Sequence, residues 1–198
     1  MHRIRWAMAE NYGEPEKLSG TVEIDETFIG GKPRYKGWTA GRAKPRAHFS
    51  TKTRVVAMVE RGGSVRAEVS QGVTARNIRQ IVRENVDTSS RIITDELRAY
   101  RRLGPEYAQH DHVNHGRGEY VRGDVTTNTI EGFFSLVKRG MYGTFHSVSR
   151  KHLHRYMSEF SFRYNTRKLD DGARTDAAIR ASVGKRLLYR EPVERAGA

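Results

Sequence analysis

The chain contains no cysteine. No disulfide framework can brace it, no zinc ribbon built on thiolates can form, and the redox compartment is left unread. Long apolar runs are missing as well. Nothing approaches the roughly 18 residues that a membrane helix needs. The start, Met1-His2-Arg3-Ile4-Arg5-Trp6-Ala7-Met8-Ala9-Glu10, lacks the apolar stretch of a signal peptide. The expectation is a cytoplasmic protein with no membrane partner. Internal repeats and low-complexity segments are also lacking, and from Lys32 to Val59 there is no acidic residue.

What is present is positive charge. Lysine and arginine number 36 against 23 acids, for a net charge of +13 and a pI near 10.3. Such a field concentrates polyanions at the surface. A merely basic protein, such as a ribosome-associated factor, has the same balance. The acid-free stretch carries Lys32, Arg34, Lys36, Arg42, Lys44, Arg46, Lys52 and Arg54, with Tyr35, Trp38 and Phe49 among them. Charge runs are usually solvated faces. Interleaved aromatics favour a nucleic-acid arm, because bases stack on them while cations meet phosphates.

At 198 residues the chain reads as one domain with a short arm. Residues 1–12 predict a helix with Ile4, Ala7 and Met8 on one face, ended by Gly13 and Pro15. Val22–Ile29 alternates as a strand, with Asp25, Glu23 and Thr27 facing away from Val22, Ile24 and Phe28. Gly30-Gly31 breaks it. Val55–Arg61 and Ser64–Val69 read as a hairpin around Gly62-Gly63. Thr74 caps a helix through about Val86, with Ile78, Ile81 and Val82 at helical spacing. A strand leads to Asp95, a helix follows from Leu97 to Leu103, and residues 107–115 give a fifth strand. Helices are predicted at 129–140, 149–165 and 173–189. This order fits an α/β fold with a mixed five-stranded sheet flanked by helices.

Three acids stand out: Asp25 in the first strand, Asp95 after another, and Glu131 at a helix start. Two strand acids and one helix acid make an oxygen-only ligand set suited to magnesium or manganese. Each acid has a plain reading too. Asp25 can be a solvent-facing strand acid, Asp95 a helix cap, and Asn128-x-x-Glu131 a capping box. Lys138 lies two turns after Glu131, on the same helix face as Ser135. Ile130, Phe134, Val137 and Met141 form an adjacent apolar stripe. The histidines His110, His112 and His115, like His146, His152 and His154, read as edge positions rather than a zinc site. His115 reads as hydrogen-bonding or DNA-facing.

On these residues the chain resembles the DDE transposases of bacterial insertion sequences, in the ISXO2-like branch. The matching segments are Val22–Lys32, Thr94-Asp95-Glu96 with Tyr100, Val113-Asn114-His115, Thr127–Arg139, and His152-Leu153 through Phe162–Asn165. The resemblance implies an RNase H-like (retroviral integrase) catalytic domain over 21–170, with an arm at 1–20 and a C-terminal helix and tail at 171–198. It also implies a triad of Asp25, Asp95 and Glu131 holding two Mg²⁺ or Mn²⁺ ions for DNA strand cleavage and strand transfer by in-line phosphoryl transfer. Lys138 matches a DNA-contacting basic residue. Arg139, Lys32, Arg34, Lys36, Lys44, Lys52 and His115 join it as candidate DNA-binding residues. The implied partners are double-stranded DNA, at element ends and target, and further copies of the chain on that DNA at the nucleoid. Family members usually carry an N-terminal zinc ribbon or helix-turn-helix region, so the expectation is a truncated copy or one whose end recognition lies elsewhere. A DNA-binding remnant without activity and an RNase H-like nuclease are the alternative readings.

Overall fold

The computed structural model describes residues 2–9, 16–30, 52–70, 72, 74–119 and 121–185. Helix α1 (His2–Met8) precedes strand β1 (Thr21–Ile29). Strands β2 (Thr53–Glu60) and β3 (Val65–Ser70) form the hairpin, and α2 (Ala75–Asn85) leads to β4 (Arg91–Thr94) and β5 (Gln109–His112). A small ribbon, β6 (Val121–Arg122) and β7 (Val125–Thr126), enters α3 (Asn128–Gly140). Then come α4 (Leu153–Asn165) and α5 (Asp171–Arg180).

The main sheet has the order β3-β2-β1-β4-β5. The first three strands are antiparallel, and β2 joins β3 through Gly62, whose φ of +75° favours glycine. Strands β1, β4 and β5 run parallel. A parallel neighbour requires a crossover, which α2 supplies between β3 and β4. This mixed five-stranded sheet with flanking helices is the RNase H-like architecture that the sequence predicts. No helix among the described residues is long and apolar enough to cross a membrane.

Both faces of the sheet are covered, and β2 shows why it reads as an unbroken apolar run. Val55, Ala57 and Val59 pack toward Ile130, Phe133, Phe134 and Val137 of α3 and Leu153, Met157 and Phe160 of α4. Val56 and Met58 alternate to the other face, where they meet Val22, Ile24, Ile92 and the α2 residues Ile78 and Val82. The capping of α2 is as predicted: the Thr74 hydroxyl accepts from the Asn77 N–H. Where α3 meets α4, a Cβ on Gly140 would press into the Phe160 ring, so glycine lets the helices close without displacing it.

Several predicted elements differ. The helix expected from Leu97 to Leu103 is instead two short 3₁₀ turns, Tyr100–Arg102 and Gly104–Glu106. Pro105 offers no N–H to continue an α-helical ladder. The last helix stops at Arg180, and Gly184 takes a φ of +73°. Residues 186–189 of that prediction lie outside the described residues. The apolar face predicted for α1 is not the docked one. Ile4 is 53 % exposed, whereas Arg5 is buried. The Arg5 guanidinium donates to Glu159 at 2.6 Å and stacks over Tyr156 at 4.0 Å, so its planar head, not an aliphatic face, anchors α1 to α4.

Candidate active site

Sheet register brings the first two acids together. Strands β1 and β4 pair in parallel with Thr21 opposite Arg91, Val22 opposite Ile92 and Glu23 opposite Ile93. Continued for two residues, the same register sets Asp25 beside Asp95, on chains about 4.8 Å apart. Their carboxylates converge with that of Glu26. Asp25, Glu26 and Asp95 each offer an oxygen within 4.8 Å of the others.

Each carboxylate is oriented. Asp25 accepts from the Glu26 N–H at 2.7 Å, and Asp95 accepts from the Leu97 N–H at 2.9 Å. The buried Tyr100 hydroxyl donates to Glu26. Burial, reinforced by the Glu26 charge, pushes the Asp25 carboxyl up to about 7, with Asp95 and Glu131 adding to the effect. Burial also raises Glu26, against the Tyr100 hydrogen bond, and raises Asp95, against the Leu97 N–H. Three half-buried acids resisting ionisation form a site that a cation would relieve. The donor set fits magnesium or manganese. All its ligands are hard oxygens, and two oxygens bound across one Mg²⁺ lie about 4 Å apart.

Glu131 is outside this group of three. It lies in the first turn of α3, with its side chain half exposed, and accepts from the Thr127 hydroxyl at 2.9 Å. His115 Nε2 lies 3.7 Å from Glu131 and 3.3 Å from the Thr127 hydroxyl. Lys138 and Arg139 are exposed in the last turn of α3, and Ser135 is exposed between Glu131 and Lys138. Lys52 is half-buried. Lys32, Arg34, Lys36 and Lys44 lie outside the described residues.

The Asn128 capping box does not form, for the N-cap is Thr127 and makes no side-chain capping bond. Instead a carboxylate from another element caps α3. Glu23 is fully buried. It accepts from the Thr129 N–H at 2.9 Å, the Thr129 hydroxyl at 2.9 Å and the Ile130 N–H at 3.0 Å. Arg61 donates to the same carboxylate at 2.7 Å and reaches the carbonyls of Asp124 and Thr126 at 2.8 and 2.9 Å. An anion suits the start of a helix, where N–H groups lack partners and the dipole is positive. Glu23 shares a strand face with Asp25, so one strand carries an acid of the cluster and the clamp that sets the helix of Glu131. The sequence analysis assigned a role to neither Glu23 nor Glu26. The signal for Glu23 was its place two residues before Asp25.

The fold and the site define a mixed α/β domain with a carboxylate cluster where its parallel strands meet. Residues 17–165 match the ISXO2-like transposase domain. The chain belongs to that family. It is 32 % identical over 157 residues to an uncharacterized protein in transposable element ISH50 of Halobacterium salinarum, covering 74 % of this chain and 52 % of that protein. The chain thus spans about half the length of the curated relative it matches. Among solved structures it is similar to a chain of the simian T-cell lymphotropic virus intasome bound to a PP2A regulatory subunit. That match has a TM-score of 0.45 and 14 % identity, and covers 96 % of this chain and 62 % of the other. It is also similar to the Mos1 transposase in a paired-end complex, with a TM-score of 0.35 and 14 % identity, over 92 % of this chain and 62 % of the other.

Proposed function

We propose that this chain is the catalytic core of a DNA transposase that cleaves DNA and transfers the resulting strand by in-line phosphoryl transfer. The observation that carries the reading is the β1–β4 register, which sets Asp25 beside Asp95 in a half-buried cluster of hard ligands. Residues 21–170 form the working domain, with 1–20 as an arm and 171–198 as a tail. Asp25 and Asp95 hold divalent metal, Mg²⁺ or Mn²⁺, and Glu131 completes the set from α3. When bound, two ions would supply the charge that activates a nucleophile and stabilises a leaving 3′-oxygen.

The residues of the chain do the rest. Glu26, seated on the Tyr100 hydroxyl, adds negative charge beside Asp25 and strengthens the hold on the cations. The Glu23–Arg61 clamp fixes the helix that presents Glu131. Lys138 and Arg139, on the exposed side of that helix, meet DNA phosphates, with His115 beside the third acid. Lys32, Arg34, Lys36, Lys44 and Lys52 extend the grip along double-stranded DNA. No side chain acts as nucleophile, so catalysis rests on positioning and charge neutralisation. The protein works at the nucleoid as a homo-oligomer on element ends and target.

The test is nicking of supercoiled plasmid in Mn²⁺ by the wild type beside Asp25→Asn, Asp95→Asn and Glu131→Gln. Nicking by the wild type alone supports the site. Wild-type nicking by Asp95→Asn refutes it. Joined products distinguish a transposase from a nuclease on the same fold. DNA binding without any nicking identifies an inactive remnant.

A further inference from the structure

The surface of α2 opposite its core face carries a row of arginines. Ile78 and Val82 face the sheet and are fully buried. Arg76, Arg79 and Arg83 fall on the other side, at the spacing that aligns residues along one helix face, and all three are exposed. With Arg102, Gln80 and Glu84 they line a cleft of about 490 Å³. Four guanidinium groups thus line it beside one carboxylate, Glu84. Glu106, mostly buried, ion-pairs with both Arg79 and Arg83 and fixes their side chains. Arg76 and Arg102 have no ion pair among the described residues.

The cleft lies next to the acid cluster through one short turn. The 3₁₀ turn Tyr100–Arg102 is buried at Tyr100, whose hydroxyl reaches Glu26. The next two residues line separate hollows. Arg101 lines a small pocket of about 80 Å³ that contains Asp95, and Arg102 lines the α2 cleft. Consecutive arginines therefore bridge the acid pocket and the arginine row. Arg76 to Arg83 spans about 10 Å at 1.5 Å per residue, about three base-pair steps of 3.4 Å along the axis of a DNA duplex. Guanidinium groups suit phosphate oxygens because their planar donors bind in pairs.

We infer that the α2 cleft is a second DNA-backbone site, which takes the phosphates of the duplex continuing from the Asp95 pocket over Arg101 and Arg102. The continuity rests on the catalytic reading above; the binding itself does not. The ligand is the sugar–phosphate backbone, held without regard to sequence.

The first arm measures binding of a fluorescein-labelled random duplex of about 30 base pairs across a range of KCl concentrations, for wild type and Arg76→Gln/Arg102→Gln. Both positions are exposed, so the variant should fold. The log–log salt slope is expected to become shallower by about 2, close to one unit for each lost phosphate contact, with Mn²⁺ binding unchanged. An unchanged slope overturns the inference. So does a changed oligomeric state at constant slope, which would make the cleft a protein contact. The second arm uses the absence of native cysteine: Arg102→Cys carries a single iron–EDTA tether. Backbone cleavage within about ten base pairs of the enzyme's own nick, one helical turn, supports the continuous path. Cleavage only beyond that distance refutes it. A wild type that never nicks but keeps the Arg76- and Arg102-dependent slope removes the catalytic reading and leaves the binding site standing.

Discussion

Replacing Glu23 with alanine tests the clamp on α3. The carboxylate is fully buried and takes three hydrogen bonds from the start of the helix. Its partner Arg61 keeps 27 % of its side-chain exposure. The substitution leaves two helix N–H groups and the Thr129 hydroxyl without their acceptor, and Arg61 with only the carbonyls of Asp124 and Thr126. Breaking a buried pair on one side costs about 3–5 kcal/mol, and the partial exposure of Arg61 argues for the lower half of that range. At about 2–4 °C per kcal/mol for a chain of this size, melting should fall by about 6–16 °C. Thermal unfolding followed by circular dichroism reads the loss directly. A double-mutant cycle with Arg61→Met then apportions it, with coupling above about 1.5 kcal/mol expected for a charge-assisted bond. A loss below about 1 kcal/mol, or additivity within error, would refute the clamp. Mn²⁺ affinity should also weaken, because the helix that carries Glu131 loses its fixed origin.

Three further outcomes are expected. The Asp25 carboxyl, held up to about 7, stays protonated in the folded protein over a range where the unfolded chain has already ionised it. The native state then binds more protons, so without metal its stability should fall as pH rises from about 4 to about 7. Asp25→Asn should flatten that decline in urea titrations, while Mn²⁺ affinity of the wild type rises over the same window. Tyr100→Phe removes the donor to Glu26 and should weaken Mn²⁺ binding by about tenfold, the low end for an outer-shell partner; calorimetric titration with an unchanged constant would contradict it. Gly140→Ala gains about 1 kcal/mol in helix propensity but drives a Cβ to 2.4 Å from the Phe160 ring. A net loss of about 1–2 kcal/mol is expected, and Phe160→Leu in the same chain should restore part of it.

The elements that were legible in the sequence are those fixed by local chemistry. Alternation around Asp25, the Gly62-Gly63 hairpin and the Thr74 cap predict β1, β2–β3 and α2. Errors arose where a distant group decided the outcome. The capping of α3 comes from Glu23, more than a hundred positions earlier in the chain, so a rule that looks three residues ahead chose Asn128 instead. Arg5 docks α1 because Glu159 and Tyr156 wait for it on α4, and hydropathy alone favours Ile4. Glu26 was passed over because neighbours on a strand point to opposite faces. Asp95, however, lies past the last residue of β4, where the sheet no longer separates those faces.

The way the acids are anchored also sorts the chain into segments that tolerate length change and segments that do not. Asp25 and Asp95 meet through strand register, so inserting one residue in β1 or β4 would turn an acid to the wrong side of the sheet. Glu131 is located by Glu23 gripping the helix start, whatever the path of the chain between β5 and α3. The exposed residues Arg117–Gly118 and Val121–Gly123 are therefore the natural places for insertions to accumulate in descendants of this sequence, and a lengthened spacer there changes the count between the second and third acids without moving either one.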